Sequence, residues 1–422
     1  MQTNLSAEFK DTAEGKEAEA ILRKCVHCGF CNATCPTYQL LGDELDGPRG
    51  RIYLIKQVLE GGEVTRSTQQ HLDRCLTCLN CQTTCPSGVE YGNLLEIGRN
   101  VVEQRVERPV RQKAIRWLLK EGMTSALFAP ALGAARALRP LLPAALRGKV
   151  SPRPGAGART RPAGIHRRKV LLLEGCVQPS LMPNINSAVA RVLDAADIQV
   201  VAAAGAGCCG AVRTHLNDHE GGLADMRRNI DAWMPLVASG NFESIVSSAS
   251  ACSLAIKQYG HALAHDAEYA GKAQRISGLA RDLSELLPEL VPALHGRLQC
   301  GGPRRLAFHA PCTLQHGQRL RGAIEENLRA LGFDVSVAAG ESHFCCGSAG
   351  TYSLLQPDLA RQLRDRKLGN LLELEPQCII SANMGCIQHL QSGTRTPVMH
   401  WIEALDEALD GIRRTVSSRI RA

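Results

Sequence analysis

Apolar residues recur at helical spacing through the first hundred positions. Ala18, Ile21 and Leu22 share one face of a stretch that predicts a helix over 7–24. Ile52, Ile55, Val58 and Leu59 repeat the pattern over 50–60, and Gly61-Gly62 closes it. A short helix is expected from Thr68 to Arg74 and a longer one from Tyr91 to Val106. Beyond them, 107–148 mixes Ile115, Trp117, Leu118 and Leu119 with basic residues. Its weakly polar run from Gly122 to Ala135 is about 14 residues long, too short to cross a bilayer, and Pro130, Pro140 and Pro143 interrupt it. From Gly148 to Lys169, Pro, Gly, Ala and Arg dominate, which predicts a mobile linker.

At Lys169 the pattern changes to buried strands alternating with helices, and it does so twice. Lys169 to Cys176 matches Arg305 to Cys312, an apolar strand ending in cysteine. Val192 to Val201 matches Leu328 to Val337, a helix end returning to a strand. Cys208-Cys209-Gly210 matches Cys345-Cys346-Gly347, and strands at 244–248 and 378–382 lead to Cys252 and Cys386. Two related α/β units with short parallel sheets are expected, joined by a largely helical stretch over 260–303. The reading is an α+β multidomain chain: a helical domain over 1–100, a basic segment and linker over 101–168, and α/β units over 169–297 and 298–422.

The helical domain carries the most specific chemistry. Cys25, Cys28, Cys31 and Cys35-Pro36 follow the spacing C-x2-C-x2-C-x3-C-P, and Cys75, Cys78, Cys81 and Cys85-Pro86 repeat it. Two-residue loops return successive sulfurs to one centre, as in ferredoxins that hold [4Fe–4S] clusters, and the fourth cysteine of each run serves the other cluster. Cys25, Cys28, Cys31 and Cys85 are therefore expected to hold one cluster, and Cys75, Cys78, Cys81 and Cys35 a second. Structural zinc also uses C-x2-C pairs, but four ligands satisfy it and these runs would leave thiolates in surplus.

Composition narrows the setting. The chain has 422 residues and 18 cysteines. Residues 1–10 include Glu8 and no apolar core of a signal peptide, so reduced, metal-bound thiols in the cytoplasm are expected rather than disulfides. Residues 101–170 hold 16 Lys/Arg against 3 Asp/Glu, a net +13, whereas the whole chain carries +8. The basic character belongs to this segment, which suits anionic lipid, a partner or a solvated helix face equally; Arg111, Lys113, Arg116 and Lys120 are the charges to test. It lacks base-reading motifs, so nucleic acid is not an expected partner.

In the repeated half, Cys176, Cys208, Cys209 and Cys252 recur as Cys312, Cys345, Cys346 and Cys386, each at a strand end or the following turn. The glycine after each cysteine pair lets the turn aim both sulfurs at one centre. A further cluster or a redox thiol site is expected, against the alternative of small buried hydrophobes in one copy. Cys300 and Cys378 lack counterparts and read as plain thiols. Gly205-Ala-Gly207-Cys-Cys-Gly210, with Asp225 downstream, fits a dinucleotide fingerprint, but the second unit keeps only the cysteine pair, so nucleotide binding is set aside. His27 lies inside the first run and is placed to tune that cluster or merely to cover it. His309 and His316 flank Cys312 and are placed either to assist its thiol or simply to pack. No catalytic constellation specific enough for a hydrolase is present.

Two ferredoxin runs followed by two Cys-Cys-Gly units resemble the iron–sulfur subunits of flavin-linked 2-hydroxyacid dehydrogenases. Lys24 to Cys31 and Cys35 to Tyr53 resemble the glycolate oxidase (glycolate dehydrogenase) members most closely. The resemblance implies FAD-binding partner subunits that oxidise glycolate to glyoxylate, and a chain that relays electrons toward membrane quinone from the inner face of the cell membrane. In the wider family, with heterodisulfide reductase and glycerol-3-phosphate dehydrogenase subunits, a Cys-Cys-Gly unit often ends in C-x2-C. Here Ala249 and Asn383 stand where the first of those cysteines would be, so a five-cysteine cluster is not expected and four ligands remain in each unit. Two other readings stay open: a self-sufficient disulfide or quinone reductase acting through the Cys-Cys-Gly pair, and the same relay serving another 2-hydroxyacid or glycerol 3-phosphate.

Overall fold

The computed structural model describes residues 1–141, 159–298 and 304–409. Half of the expected linker, 148–158, and Cys300 lie outside the described residues.

The helix expected over 7–24 forms as two, Ala7–Lys10 and Ala13–Lys24, because the Thr12 hydroxyl accepts the Gly15 amide at 3.0 Å and starts a new helix. Pro48 opens the helix Pro48–Leu59, where its missing amide hydrogen costs nothing. With Arg66–Asp73 and Tyr91–Arg105 these helices enclose one core, built from Ile21, Leu22, Ile55, Leu59, Leu94 and Val102 among others. Both cysteine runs are laid along its edge, and Cys25, Cys75 and Cys81 pack into it.

The basic segment forms helices Val110–Thr124 and Phe128–Leu138, parted at Ser125 and Leu127. Trp117 and Leu118 are each more than 60% exposed. Three of the four test charges are engaged within the chain: Arg116 with Asp73 at 3.0 Å, Lys120 with Asp218 at 3.0 Å and Lys113 with Glu107 at 2.5 Å. The described end of the expected linker is fastened rather than free. Arg161 pairs with Glu174, Arg191 donates to the Thr160 carbonyl at 2.7 Å, and His166 meets Asp194 at 2.8 Å.

Each repeated unit is a four-stranded, wholly parallel sheet. The first has β1 (Arg168–Leu172), β2 (Ile198–Val201), β3 (Ser244–Ser247) and β4 (Ala280–Asp282) in the order β2-β1-β3-β4. The second repeats that order as β6-β5-β7-β8, with β5 (Arg305–His309), β6 (Asp334–Ser336), β7 (Cys378–Ser381) and β8 (Val398–His400). Strands β4 and β8, three residues each, escaped the sequence pattern because so few residues show no period and, unlike the equally short β6, neither falls in a stretch matched between the two units; β4 also falls inside the stretch expected to be helical.

The two units share one core. Val170 and Leu172 of β1 join Leu306 and Phe308 of β5 and Trp401 in a single apolar cluster, while Leu171 and Leu173 face the other side with Ile230, Trp233 and Tyr259. Polar ends cross the junction in both directions. His400, the last residue of β8, lies 2.8 Å from the Ser248 carbonyl, and Gln318 donates to the carboxylate of Asp282, the last residue of β4, at 3.1 Å.

Candidate metal centres

In the two ferredoxin runs the same backbone positions turn left-handed. His27 and Thr77 have φ of 56° and 52°, and Gly29 and Leu79 have 83° and 62°. A left-handed residue between successive cysteines folds the loop back on itself, which is how a short run turns several sulfurs to one side. Leu79 holds that conformation at a steric cost that glycine avoids in the first run, and Gly92 leaves room for its side chain.

The runs interlock. The Cys31 thiol is pushed up to about 11 by burial and by its sulfur neighbours Cys25, Cys28 and Cys85. Cys81 is raised by burial, then by Cys78, Cys75 and Cys35 before Cys31. Each of these cysteines thus has the fourth cysteine of the other run beside it. Cys25, Cys28, Cys31, Cys81 and Cys85 line a cleft of about 440 Å³ together with Val26, Phe30 and Pro86. Cys28 is exposed and the second run is buried throughout except for Cys85.

Sequence reading missed the cations beside the second run. Arg51 is fully buried and donates to the His71 carbonyl (2.8 Å), Thr37 Oγ1 (3.1 Å) and Asp46 Oδ1 (3.3 Å). Arg74 donates to the other Asp46 oxygen at 2.8 Å. Arg99 caps the Leu72 and Cys75 carbonyls at 2.7 and 2.8 Å. Burial pushes the Cys75 thiol up, but the Arg51 and Arg99 guanidiniums outweigh it and hold Cys75 below its ordinary value. The available signal was Arg51 itself, a charge on the apolar face that carries Ile52 and Ile55.

In both α/β units the four cysteines come from the carboxyl ends of three adjacent strands, the edge where parallel sheets gather ligands. In the first unit Cys208 lies between Cys176 and Cys209, and Cys209 also meets Cys252; hydrogen bonds from Cys176 and Cys209 pull Cys208 down. Asp225 stands against Cys208 and accepts from Arg228 at 2.8 Å. In the second unit Cys312 and Cys345 sulfurs are 3.9 Å apart, Cys346 adjoins Cys345, and Cys386 adjoins Cys346. Gly210 and Gly347, at φ 90° and 88°, must be glycine: a Cβ would sit 2.8 Å from the Gly222 carbonyl and 2.5 Å from that of Ala360. The glycine-rich stretch at 205–210 instead gives the Gly207 amide to Asn229 at 2.8 Å, which occupies what a phosphate would need.

Of the two histidines flanking Cys312, His309 is 2% exposed, and one of its ring nitrogens lies within 4.8 Å of the Cys346 and Cys386 sulfurs. His316 ties domains together: Nε2 donates to the His343 carbonyl at 2.8 Å and Nδ1 lies 2.9 Å from Thr83 Oγ1 of the ferredoxin domain. His27 is half-buried at the cleft and packs edge-on against Tyr53. Cys378 is buried at the amino end of β7, opposite the strand end that leads to Cys386, and is raised to about 11 by burial.

The second unit's thiols meet the ferredoxin domain directly. Cys78 and Leu76 share an apolar cluster with Cys345, Tyr352, Ala360 and Leu363, and Cys312 packs against it. Cys78 is raised by burial and then by Cys312 across that junction. Asn80 bridges it, donating to the Thr34 carbonyl at 2.9 Å and the His343 carbonyl at 3.3 Å. The donor chemistry of all three regions fits iron–sulfur cofactors: gathered, mostly buried thiols suit soft metal centres.

Comparison with known proteins agrees. Residues 21–89 match the 4Fe-4S dicluster domain, and 170–257 and 306–391 each match the cysteine-rich (CCG) domain. The chain is 55% identical over 415 residues to the glycolate oxidase iron-sulfur subunit of Escherichia coli (strain K12), covering 97% of this chain and all of that one. It is 29% identical to the probable glycolate oxidase iron-sulfur subunit of Bacillus subtilis (strain 168), over 92% of this chain and 91% of the relative. Lactate utilization protein A of Bacillus velezensis is 24% identical over 56% of this chain and 99% of its own.

Proposed function

The chain belongs to the family of glycolate oxidase iron–sulfur subunits, and from that premise we propose that it relays electrons from an FAD-bearing partner, where glycolate becomes glyoxylate, toward a quinone or other membrane acceptor. Cys25, Cys28, Cys31 and Cys85 would hold one [4Fe–4S] cluster, and Cys75, Cys78, Cys81 and Cys35 a second; such clusters pass single electrons. The observation that carries the reading is the line of thiols from the exposed Cys28 to the buried Cys78 and on to Cys312 and Cys345.

Each part of the chain has a task on that line. Val26 and Phe30, both more than 60% exposed beside Cys28, offer an apolar rim where the flavin partner would dock. Arg51 and Arg99 supply positive charge beside Cys75, which favours the reduced, more negative state of the second site. The apolar seam of Leu76, Tyr352 and Leu363 keeps water from the passage between Cys78 and Cys345. No catalytic residue for glycolate oxidation is assigned to this chain.

Trp117, Leu118 and Leu127 project from the basic helices and would rest the complex peripherally on the inner face of the cell membrane. Among the described residues, no helix is long and apolar enough to cross a membrane. Because Arg116 and Lys120 are engaged within the chain, replacing Trp117 and Leu118 by Ser is the cleaner test; unchanged fractionation of the complex would remove the membrane contact. A self-sufficient disulfide reductase is disfavoured: Cys345 and Cys346 are 3% and 1% exposed and offer a substrate no approach.

Iron, acid-labile sulfide and EPR on chain purified without oxygen test the relay. About eight irons with interacting [4Fe–4S] signals are expected from the ferredoxin domain, and more if the Cys-Cys-Gly units carry a centre. Zinc with little sulfide would end the electron-carrier reading.

A further inference from the structure

The second Cys-Cys-Gly unit contains a donor that cysteine counting overlooks. His309 ends β5, and on the adjacent strand β7 it pairs in register with Ser381. The Ser381 hydroxyl donates to the His309 carbonyl at 3.0 Å, and the same oxygen lies 3.0 Å from His309 Nδ1. A hydroxyl has one hydrogen, and a carbonyl can only accept. With that hydrogen committed to the carbonyl, the oxygen must accept from Nδ1–H. The ring is thereby protonated on Nδ1 and presents its lone pair at Nε2.

Nε2 is buried and has no hydrogen-bond partner among the described residues, an arrangement that costs free energy unless something else takes the lone pair. The ring lies against two thiols: one of its nitrogens and the sulfurs of Cys346 and Cys386 are all within 4.8 Å of one another. An imidazole oriented by a hydrogen bond through one nitrogen, with the other aimed among thiolates, is how proteins prepare a metal-ligating histidine. The first unit has Leu173 at the matching strand end, apolar and packed against Cys209 and Trp233 in its core. The nitrogen donor is thus peculiar to the second unit.

We propose that His309 Nε2 is a ligand, beside Cys346 and Cys386, to iron of the metal–sulfur centre in the second unit, giving that centre mixed nitrogen–thiolate ligation. This rests on the reading that the second unit holds such a centre. The same unit lacks a cysteine at Asn383, and His309 supplies a fifth donor from a different strand. Asp43, Asp46 and His71 also converge, but the Arg51 and Arg74 guanidiniums already satisfy Asp46, so no cation is proposed there.

The test uses full-length chain purified without oxygen, with ordinary or 15N-labelled histidine, as wild type, His309→Leu and His309→Cys. Iron and zinc are counted, and pulsed EPR reads nitrogen couplings. We expect a strong coupling that responds to the histidine label in wild type and is lost in both variants. Iron beyond the ferredoxin complement should fall at least two-fold in His309→Leu and be retained in His309→Cys, with ferredoxin signals intact in both. Because those signals report folding, a His309→Leu chain that keeps them together with full iron and the wild-type coupling overturns the ligand assignment alone. Wild-type chain with only the ferredoxin irons overturns both this assignment and the centre it rests on, leaving the ferredoxin relay standing. Zinc in place of the extra iron overturns the iron assignment.

Discussion

The two Cys-Cys-Gly units have one topology and two ways of meeting the ferredoxin domain. The second presses its cysteines into an apolar seam with Leu76 and Cys78. The first meets it, and the basic helix that follows it, through polar pairs: Arg213 with Glu121 at 2.8 Å and Lys120 with Asp218 at 3.0 Å on helix Val110–Thr124, and His219 with Glu96 at 3.3 Å and His261 with Glu17 at 3.0 Å on the ferredoxin domain. An apolar seam excludes water and brings thiols together; a layer of partly exposed polar and charged pairs fixes orientation and contributes little stability. Duplication therefore supplied two similar cysteine sites, and packing made one of them a neighbour of the second ferredoxin run. The histidine at 309 against the leucine at 173 separates them further.

Removing a thiol on each side should break the symmetry most. Cys78→Ala is expected to cut the iron of the ferredoxin domain from about eight to about four and to lower electron transfer by at least 100-fold, because a four-thiolate site loses a quarter of its ligands. Cys252→Ala, in the first unit, should leave the ferredoxin EPR signals unchanged. Equal losses in the two variants would show that the first unit lies on the electron path as well.

The seam itself comes next. Leu363 is 1% exposed and packs with Leu76, Cys78 and Tyr352. Leu363→Ala should destabilise the chain by about 2–4 kcal/mol, read as a lower midpoint of thermal unfolding, through lost burial and the cavity left behind. It should also raise hydrogen exchange around 76–80. A fall in midpoint with no change at 76–80 would mean that Leu363 serves only its own unit.

How far the sequence carries this picture depends on periodicity and spacing. The ferredoxin cysteines were legible because their spacing is itself the geometry: short loops and left-handed residues at 27, 29, 77 and 79 are local. The repeat was legible because β1 and β5 are continuous apolar runs. Strands β4 and β8 were not, being three residues each and lying outside the stretches matched between the units, which revealed the equally short β6. Nor were the partners of the cysteines. That Cys78 meets Cys312 and that Arg51 reaches Cys75 depend on packing between segments far apart in the chain. His309 was noticed for standing near Cys312 in sequence, yet its neighbours in space are Cys346 and Cys386, brought by two other strand ends.

The smallest effect lies at the charged junction and sharpens the contrast best. Arg213 donates to both Glu121 oxygens at 2.8 Å and to Asp218 at 2.9 Å. The Arg213 hydrogen bonds hold Glu121 below the ordinary carboxylate range; burial pushes Asp218 up, but Lys120 and Arg213 outweigh it and hold it low as well. A carboxylate with a lowered folded pKa contributes stability above its unfolded value and loses it as pH falls through the folded one. The first unit should therefore loosen from helix Val110–Thr124 at and below the acid end of the carboxylate range, while the apolar seam of the second does not respond. With Glu121 40% exposed, solvent screening limits the pair to about 0.5–1 kcal/mol. Arg213→Ala should speed hydrogen exchange over 110–124 at neutral pH a few-fold and weaken its dependence on salt, the Lys120–Asp218 pair remaining. If salt loosens 76–80 as much as 110–124, the two junctions do not differ in kind, and the second unit's place on the electron path must rest on its thiols alone.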